Sequence, residues 1–125
     1  MTWKELAREN RTTACELFEA NRWRSAASRA YYAIYARVTD VLLSAGATMP
    51  AGRSNPKHKT LPELVGNNLS AISLSKRWRL AGLIKQLYDF RIIADYRPAV
   101  TLDGDDARIC FAVMNQAFLC LKEVP

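Results

Sequence analysis

Apolar and polar positions follow the helical period along almost the whole chain, and nowhere alternate with period two over a useful length. Trp3, Leu6, Ala14, Leu17 and Phe18 fall on one face, predicting a first helix from Thr2 to about Ala20. Thr2 and Glu5 have capping-box spacing at its start. After a break at Asn21, a second helix is expected from Arg22 to Ala45. It is dense in alanine (Ala26, Ala27, Ala30, Ala33, Ala36), with bulk from Ile34, Val38, Val41 and Leu42. Small residues let neighbouring helix axes approach closely. Gly46 to Pro56 has no periodicity and reads as a loop, the segment expected to be most mobile. Thr60-Leu61-Pro62-Glu63 reads as a second capping box, opening a short helix to about Asn67. A long helix opens around Ser75 and stops before Pro98. Asp103-Gly104-Asp105-Asp106 caps the last one, whose stripe is Ala107, Cys110, Met114, Ala117 and Leu121, flanked by Phe111 and Phe118. The pattern predicts an all-α fold, residues 1–125 forming one domain. Its architecture is a mostly antiparallel bundle of four long helices plus one short helix.

One position breaks the pattern. Leu80, Ile84, Leu87, Arg91 and Ala94 share a helix face, so Arg91 stands where a core leucine is expected, with Asp95 one turn on. A charge on an apolar stripe is costly unless it is paired or borders a cleft. Arg91 and Asp95 can pair with each other, but a cation N-terminal to its acid is the weaker helical order. At least one of them is therefore expected to reach another helix, with Arg29 as the candidate donor. A buried structural ion pair and a functional site both fit this pattern. On the second helix, Arg29, Tyr32 and Ala36 share one face while Tyr31, Ile34 and Val38 share another. One tyrosine can thus join the core while the other stands beside Arg29.

Charge adds a direction. The net charge is +6, and residues 20–97 hold 13 Lys or Arg against 4 Asp or Glu, while the flanks hold 5 against 8. A basic middle on a near-neutral frame suits an anionic partner such as RNA, a nucleotide or an acidic protein, or simply a solvated basic surface. Within it, Lys76, Arg77 and Arg79 sit at a helix N-terminus against the dipole, a modest hint of an external anion. Arg22-Trp23-Arg24 could bind phosphate or stack on a base, though Trp more commonly anchors a helix–helix corner. His58 precedes a helix start, where anions can bind, although surface histidines are usually inert.

Composition narrows the chemistry. Cys15, Cys110 and Cys120 are an odd number with no close pair, which suits buried thiols better than disulfides or ligands. With one histidine, a metal site is not expected, nor any cofactor. No apolar run is long enough to span a bilayer, and the N-terminal residues do not read as a signal peptide, so a cytoplasmic protein with no membrane role is expected. No Gly-rich phosphate loop, Ser-His-Asp set or glycosidase-type carboxylate pair is present.

Two signatures, Ser28-Arg29-Ala30-Tyr31-Tyr32-Ala33 and Arg91-Ile92-Ile93-Ala94-Asp95-Tyr96, in an all-helical chain of this size, resemble the HEPN domain family, and more narrowly its small single-domain bacterial branch. The resemblance covers nearly the whole chain and implies a bundle that commonly dimerises. Many HEPN proteins are metal-independent RNA-cleaving toxins or defence effectors, often paired with a minimal nucleotidyltransferase antitoxin. Others bind RNA or nucleotides or act as non-catalytic partners. Nuclease members typically carry Arg, four to six residues, then His. Here Arg91 is followed by Asp95 and Tyr96, with no histidine at that spacing. The expectation is an RNA-directed homodimer with Arg91, Asp95 and Tyr96 as candidate catalytic residues. Arg29, Tyr32, Arg22, Arg24, Lys76, Arg77, Arg79 and His58 are candidates for RNA or phosphate binding. The alternative is a non-catalytic interaction module, or a nucleotide-binding one with Trp23 or Tyr32 stacking on a base.

Overall fold

The computed structural model describes residues 1–50 and 52–125. They form α1 (Trp3–Glu19), α2 (Trp23–Ser44), α3 (Leu61–Asn68), α4 (Leu74–Tyr96) and α5 (Gly104–Cys120), with a single 3-10 turn at His58–Thr60 ahead of α3. The architecture is the expected one of four long helices and one short helix, with no strand among the described residues.

The ends follow local chemistry. Thr2 and Glu5 close a reciprocal capping box on α1, with the Thr2 N–H donating to Glu5 Oε2 at 2.7 Å and the Glu5 N–H to Thr2 Oγ1 at 3.1 Å. Asp103 and Asp106 do the same for α5. At the exits of α1 and α2 the chain reverses through one left-handed residue, Asn21 (φ 61°) and Gly46 (φ 80°). Each exit is tied by an N–H reaching five residues back, Arg22 to the Leu17 carbonyl and Ala47 to that of Leu42.

The second capping box expected at Thr60 does not form. Thr60 ends the 3-10 turn with helical dihedrals, and its hydroxyl donates back to the Lys57 carbonyl at 3.3 Å. The box requires an extended residue at the cap, and the turn that brings His58 inward removes it. The long helix opens at Leu74 under a Ser73 cap, slightly earlier than expected.

Helix α2 is the centre of the bundle: 13 of its 22 residues are buried, and it packs on α1, α4 and α5. Its alanines let those axes close in, while Tyr31, Ile34, Val38 and Leu42 meet Leu80, Ile84 and Leu87 of α4 and Cys110, Met114 and Ala117 of α5 in one core. Burying each large aliphatic side chain contributes roughly 1.5–3 kcal/mol. Trp23 takes the corner role, lying edge-on to Phe18 at 5.5 Å between ring centres. A Cβ on Gly104 would come within 3.2 Å of the same indole, so glycine there allows α5 to start against it. Cys110 and Cys120 are buried, and burial pushes the Cys110 thiol up to about 12. Cys15, by contrast, is exposed, on the outer face of α1. No helix is long and apolar enough to cross a membrane.

Candidate functional site

The irregularity in the pattern of α4 becomes a polar cluster between α2 and α4. Arg91 projects toward α2 with only 12% of its side chain exposed, and its Nη2 donates to the Tyr32 hydroxyl at 2.7 Å. Its Nε lies 3.1 Å from Asp95 Oδ2, but the Nε–H is not aimed at that oxygen, so the contact is an ion pair without a hydrogen bond. Nη2 also donates to the Tyr96 hydroxyl at 3.4 Å, and the guanidinium carbon sits 5.3 Å and 5.2 Å from the Tyr32 and Tyr96 ring centres. Burial opposes the charge on Arg91, but Tyr32, Tyr96 and Asp95 outweigh it and hold the pKa above the ordinary arginine value.

Both partners do reach across to α2, though not to Arg29. The hydroxyl of Ser28, one residue earlier, donates to Asp95 Oδ2 at 3.1 Å. One residue rotates the side chain by about 100° on a helix, which aims Arg29 toward α1. There it makes a long bond to the buried Asn10 (3.4 Å). Its guanidinium remains 5.8 Å from the Tyr32 ring, so Tyr32 stands between two cations. Tyr31 and Tyr32 divide as expected: Tyr31 is fully buried and Tyr32 half-buried.

His58 is drawn into this cluster rather than left on the surface. Its Nδ1 is 2.7 Å from the Tyr31 hydroxyl, and its ring packs against Tyr35 (4.6 Å between centres), Tyr31 (5.5 Å), Tyr32 (5.9 Å) and Tyr88 (6.3 Å). The segment is pinned from α2, where the Tyr35 hydroxyl donates to the Pro56 carbonyl at 2.7 Å and accepts from Asn55 Nδ2 at 2.8 Å. Burial first, then the charges of Arg91 and Arg53, push the His58 pKa below its ordinary value.

The remaining cationic candidates lie apart from this cluster or are already occupied. Arg24 is spent on the end of α4: it donates to the carbonyls of Ile93 (2.9 Å), Ala94, Arg97, Pro98 and Val100. Arg22 is exposed on the corner beside Trp23. Lys76, Arg77 and Arg79 occupy the other end of α4, with Arg79 roughly 18 Å along the helix from Arg91, and Arg79 makes a long contact to Gln116 (3.5 Å). Among the described residues no His, Cys, Asp and Glu group could hold a metal. A surface depression of about 470 Å³ lies away from the cluster, between Met1–Leu6 and Asp40–Ser44. The residues that pattern reading missed are Ser28, Tyr35, Asn55, Arg53 and Tyr88. The i, i+4 spacing of Tyr31 and Tyr35 on a core face was the available signal, because buried phenols require hydrogen-bond partners.

Against known families, the HEPN domain model matches residues 1–124. The chain belongs to the HEPN family. Membership fits the helical bundle; within it, the segments around Tyr32 and Arg91 meet in space through Ser28–Asp95 and Tyr32–Arg91. No curated protein and no solved structure matches this HEPN chain.

Proposed function

We propose that this HEPN protein is RNA-directed, a component of a toxin–antitoxin or defence system, and that the Arg91 cluster binds the phosphodiester. What supports this most is the state of Arg91. Its Nη1 amino group has no hydrogen-bond partner among the described residues. Its Nη2 donates to two phenols, so the hydroxyl protons of Tyr32 and Tyr96 are left to donate outward. With Arg29 beside Tyr32, the cluster carries two cations against one carboxylate and offers several donors. That suits phosphate.

Cleavage by a 2′-hydroxyl forms the P–O2′ bond and breaks the P–O5′ bond, moving one proton from O2′ to a base and supplying one to O5′. It also requires a cation for the negative charge that builds up on the non-bridging phosphorane oxygens. Arg91 and Arg29 fit the cation role, and Tyr96, 65% exposed, fits the donor role. Asp95, one-third exposed and already holding Arg91 and Ser28, is the candidate base. A homodimer with the site near its axis, and a nucleotidyltransferase antitoxin, belong to the same proposal.

The test is incubation of total RNA with purified protein in excess chelator, alongside folded Arg91→Ala. Cleavage by the wild type alone establishes a metal-independent nuclease. Intact RNA in both, with wild-type binding that falls steeply as salt rises, establishes a binding module. Intact RNA without binding overturns the reading in favour of a protein-interaction module in which Arg91 only ties α4 to α2.

A further inference from the structure

We propose that His58 is a phosphate-binding residue of this site: Tyr31 holds its imidazole with the proton on Nε2, and that N–H donates to a non-bridging phosphate oxygen. The inference rests on the reading of the cluster as an RNA site and adds the α2–α3 connection to it.

The tautomer follows from accounting for one buried proton. Tyr31 is fully buried, and its hydroxyl has one partner among the described residues, His58 Nδ1 at 2.7 Å. If Nδ1 carried the hydrogen, the phenol proton would be left in the core without an acceptor, and an unmade buried hydrogen bond is costly. Tyr31 therefore donates to Nδ1, and the imidazole hydrogen sits on Nε2. Burial pushes the Tyr31 pKa up, so the phenol keeps the proton that fixes this arrangement. A second proton on His58 would compete with that bond. It is also opposed by burial and by the charges of Arg91 and Arg53, so the ring is neutral at neutral pH.

A neutral imidazole with its hydrogen on Nε2 offers no outward lone pair. It is a hydrogen-bond donor and not a base. With Nδ1 taken by the buried phenol, Nε2 is the remaining nitrogen of a residue that is only half-buried, and it has no hydrogen-bond partner among the described residues. Tyr32 touches both ends of the arrangement, with its ring 5.9 Å from that of His58 and its hydroxyl bonded to Arg91. The ring cannot swing away easily, being packed against Tyr35 within a segment that Tyr35 and Asn55 tie down. Tyr31 is thus a positioning residue that acts through His58. Its i, i+1 neighbour Tyr32 performs the matching service for Arg91.

Two measurements test this together. Nitrogen-15 NMR of histidine-labelled wild-type protein, with and without inorganic phosphate, should show the Nε2–H tautomer and a saturable phosphate shift at Nε2. RNA affinity should fall about tenfold in His58→Ala, and His58→Gln, which keeps an N–H donor but no titratable ring, should restore most of it. Tyr31→Phe should mix the tautomers, and wild-type affinity should be flat from about pH 7 to 8. An Nδ1–H tautomer overturns the proposal, as does RNA affinity in His58→Ala equal to wild type while Arg91→Ala loses it. That last result leaves the RNA reading intact. If wild-type protein binds no RNA but phosphate still moves Nε2, the RNA reading falls and the anion site stands. If phosphate does not move it, the His58 proposal falls.

Discussion

Arg24 and Arg91 are two half-buried arginines at the same α2–α4 interface, and they are used in opposite ways. Arg24 spreads its donors over five backbone carbonyls at and just past the end of α4, where carbonyls run short of intrahelical partners, although those of Ile93 and Arg97 also accept from the N–H groups of Arg97 and Val100. Both of its terminal amino groups are taken. Arg91 binds side chains only, two of which remain able to donate, and keeps one amino group unused. The difference is not burial or charge but the kind of acceptor. Carbonyls at a helix end consume an arginine, whereas phenols pass its polarisation outward.

The largest expected effect breaks the structural side of that contrast. Arg24→Ala should cost about 2 kcal/mol of stability, read as a lower urea midpoint, because several carbonyls lose a charged donor. Arg91→Ala should cost less, about 1 kcal/mol, since Asp95 is partly exposed and keeps Ser28. It should nevertheless lose RNA binding. If Arg91→Ala proves the more destabilising of the two, Arg91 is the structural residue and the contrast fails.

A subtler expectation concerns acid. The His58 pKa is lowered on folding, so between that value and the ordinary 6.5 the unfolded chain binds more protons than the native one. Stability then rises with pH across that window; it is complete above about 6.5 and lost as pH falls through the folded value. Thermal melts at about pH 7 and 5 should show this loss, and His58→Gln should flatten it. Smallest of all, Lys76→Gln with Arg79→Gln should leave stability within about 0.5 kcal/mol or raise it slightly, by relieving charge at the start of α4. RNA affinity should drop modestly and the salt slope should become shallower, because a distant patch contributes only charge.

How much of this was legible varied by residue. The Arg91–Asp95 pair and the division of Tyr31 from Tyr32 could be read directly, because each depends on helical phase alone. For the donor to Asp95, the pattern points one residue off. Phase says which residues share a face of α2 but not how that face turns against α4, and Ser28 rather than Arg29 meets the carboxylate. The neighbours of Arg24, Arg22 and Trp23, suggest phosphate binding for it. Nothing local to it announces that the last turn of α4, nearly seventy residues on, will arrive with carbonyls facing it. His58 was the least legible, since it follows a loop with no periodicity.

The sequence by itself determined the helices, the caps of the first and last of them, the bundle class and the one charged interruption in an apolar stripe. All of these are set by contacts within a few turns of the same helix. Only the tertiary structure decided which arginine is spent and which stays available, and that the single histidine turns inward to a buried phenol. Those outcomes depend on where unpaired carbonyls and hydroxyls meet across helices, and hydrogen-bond satisfaction between distant segments leaves no periodic trace in the chain.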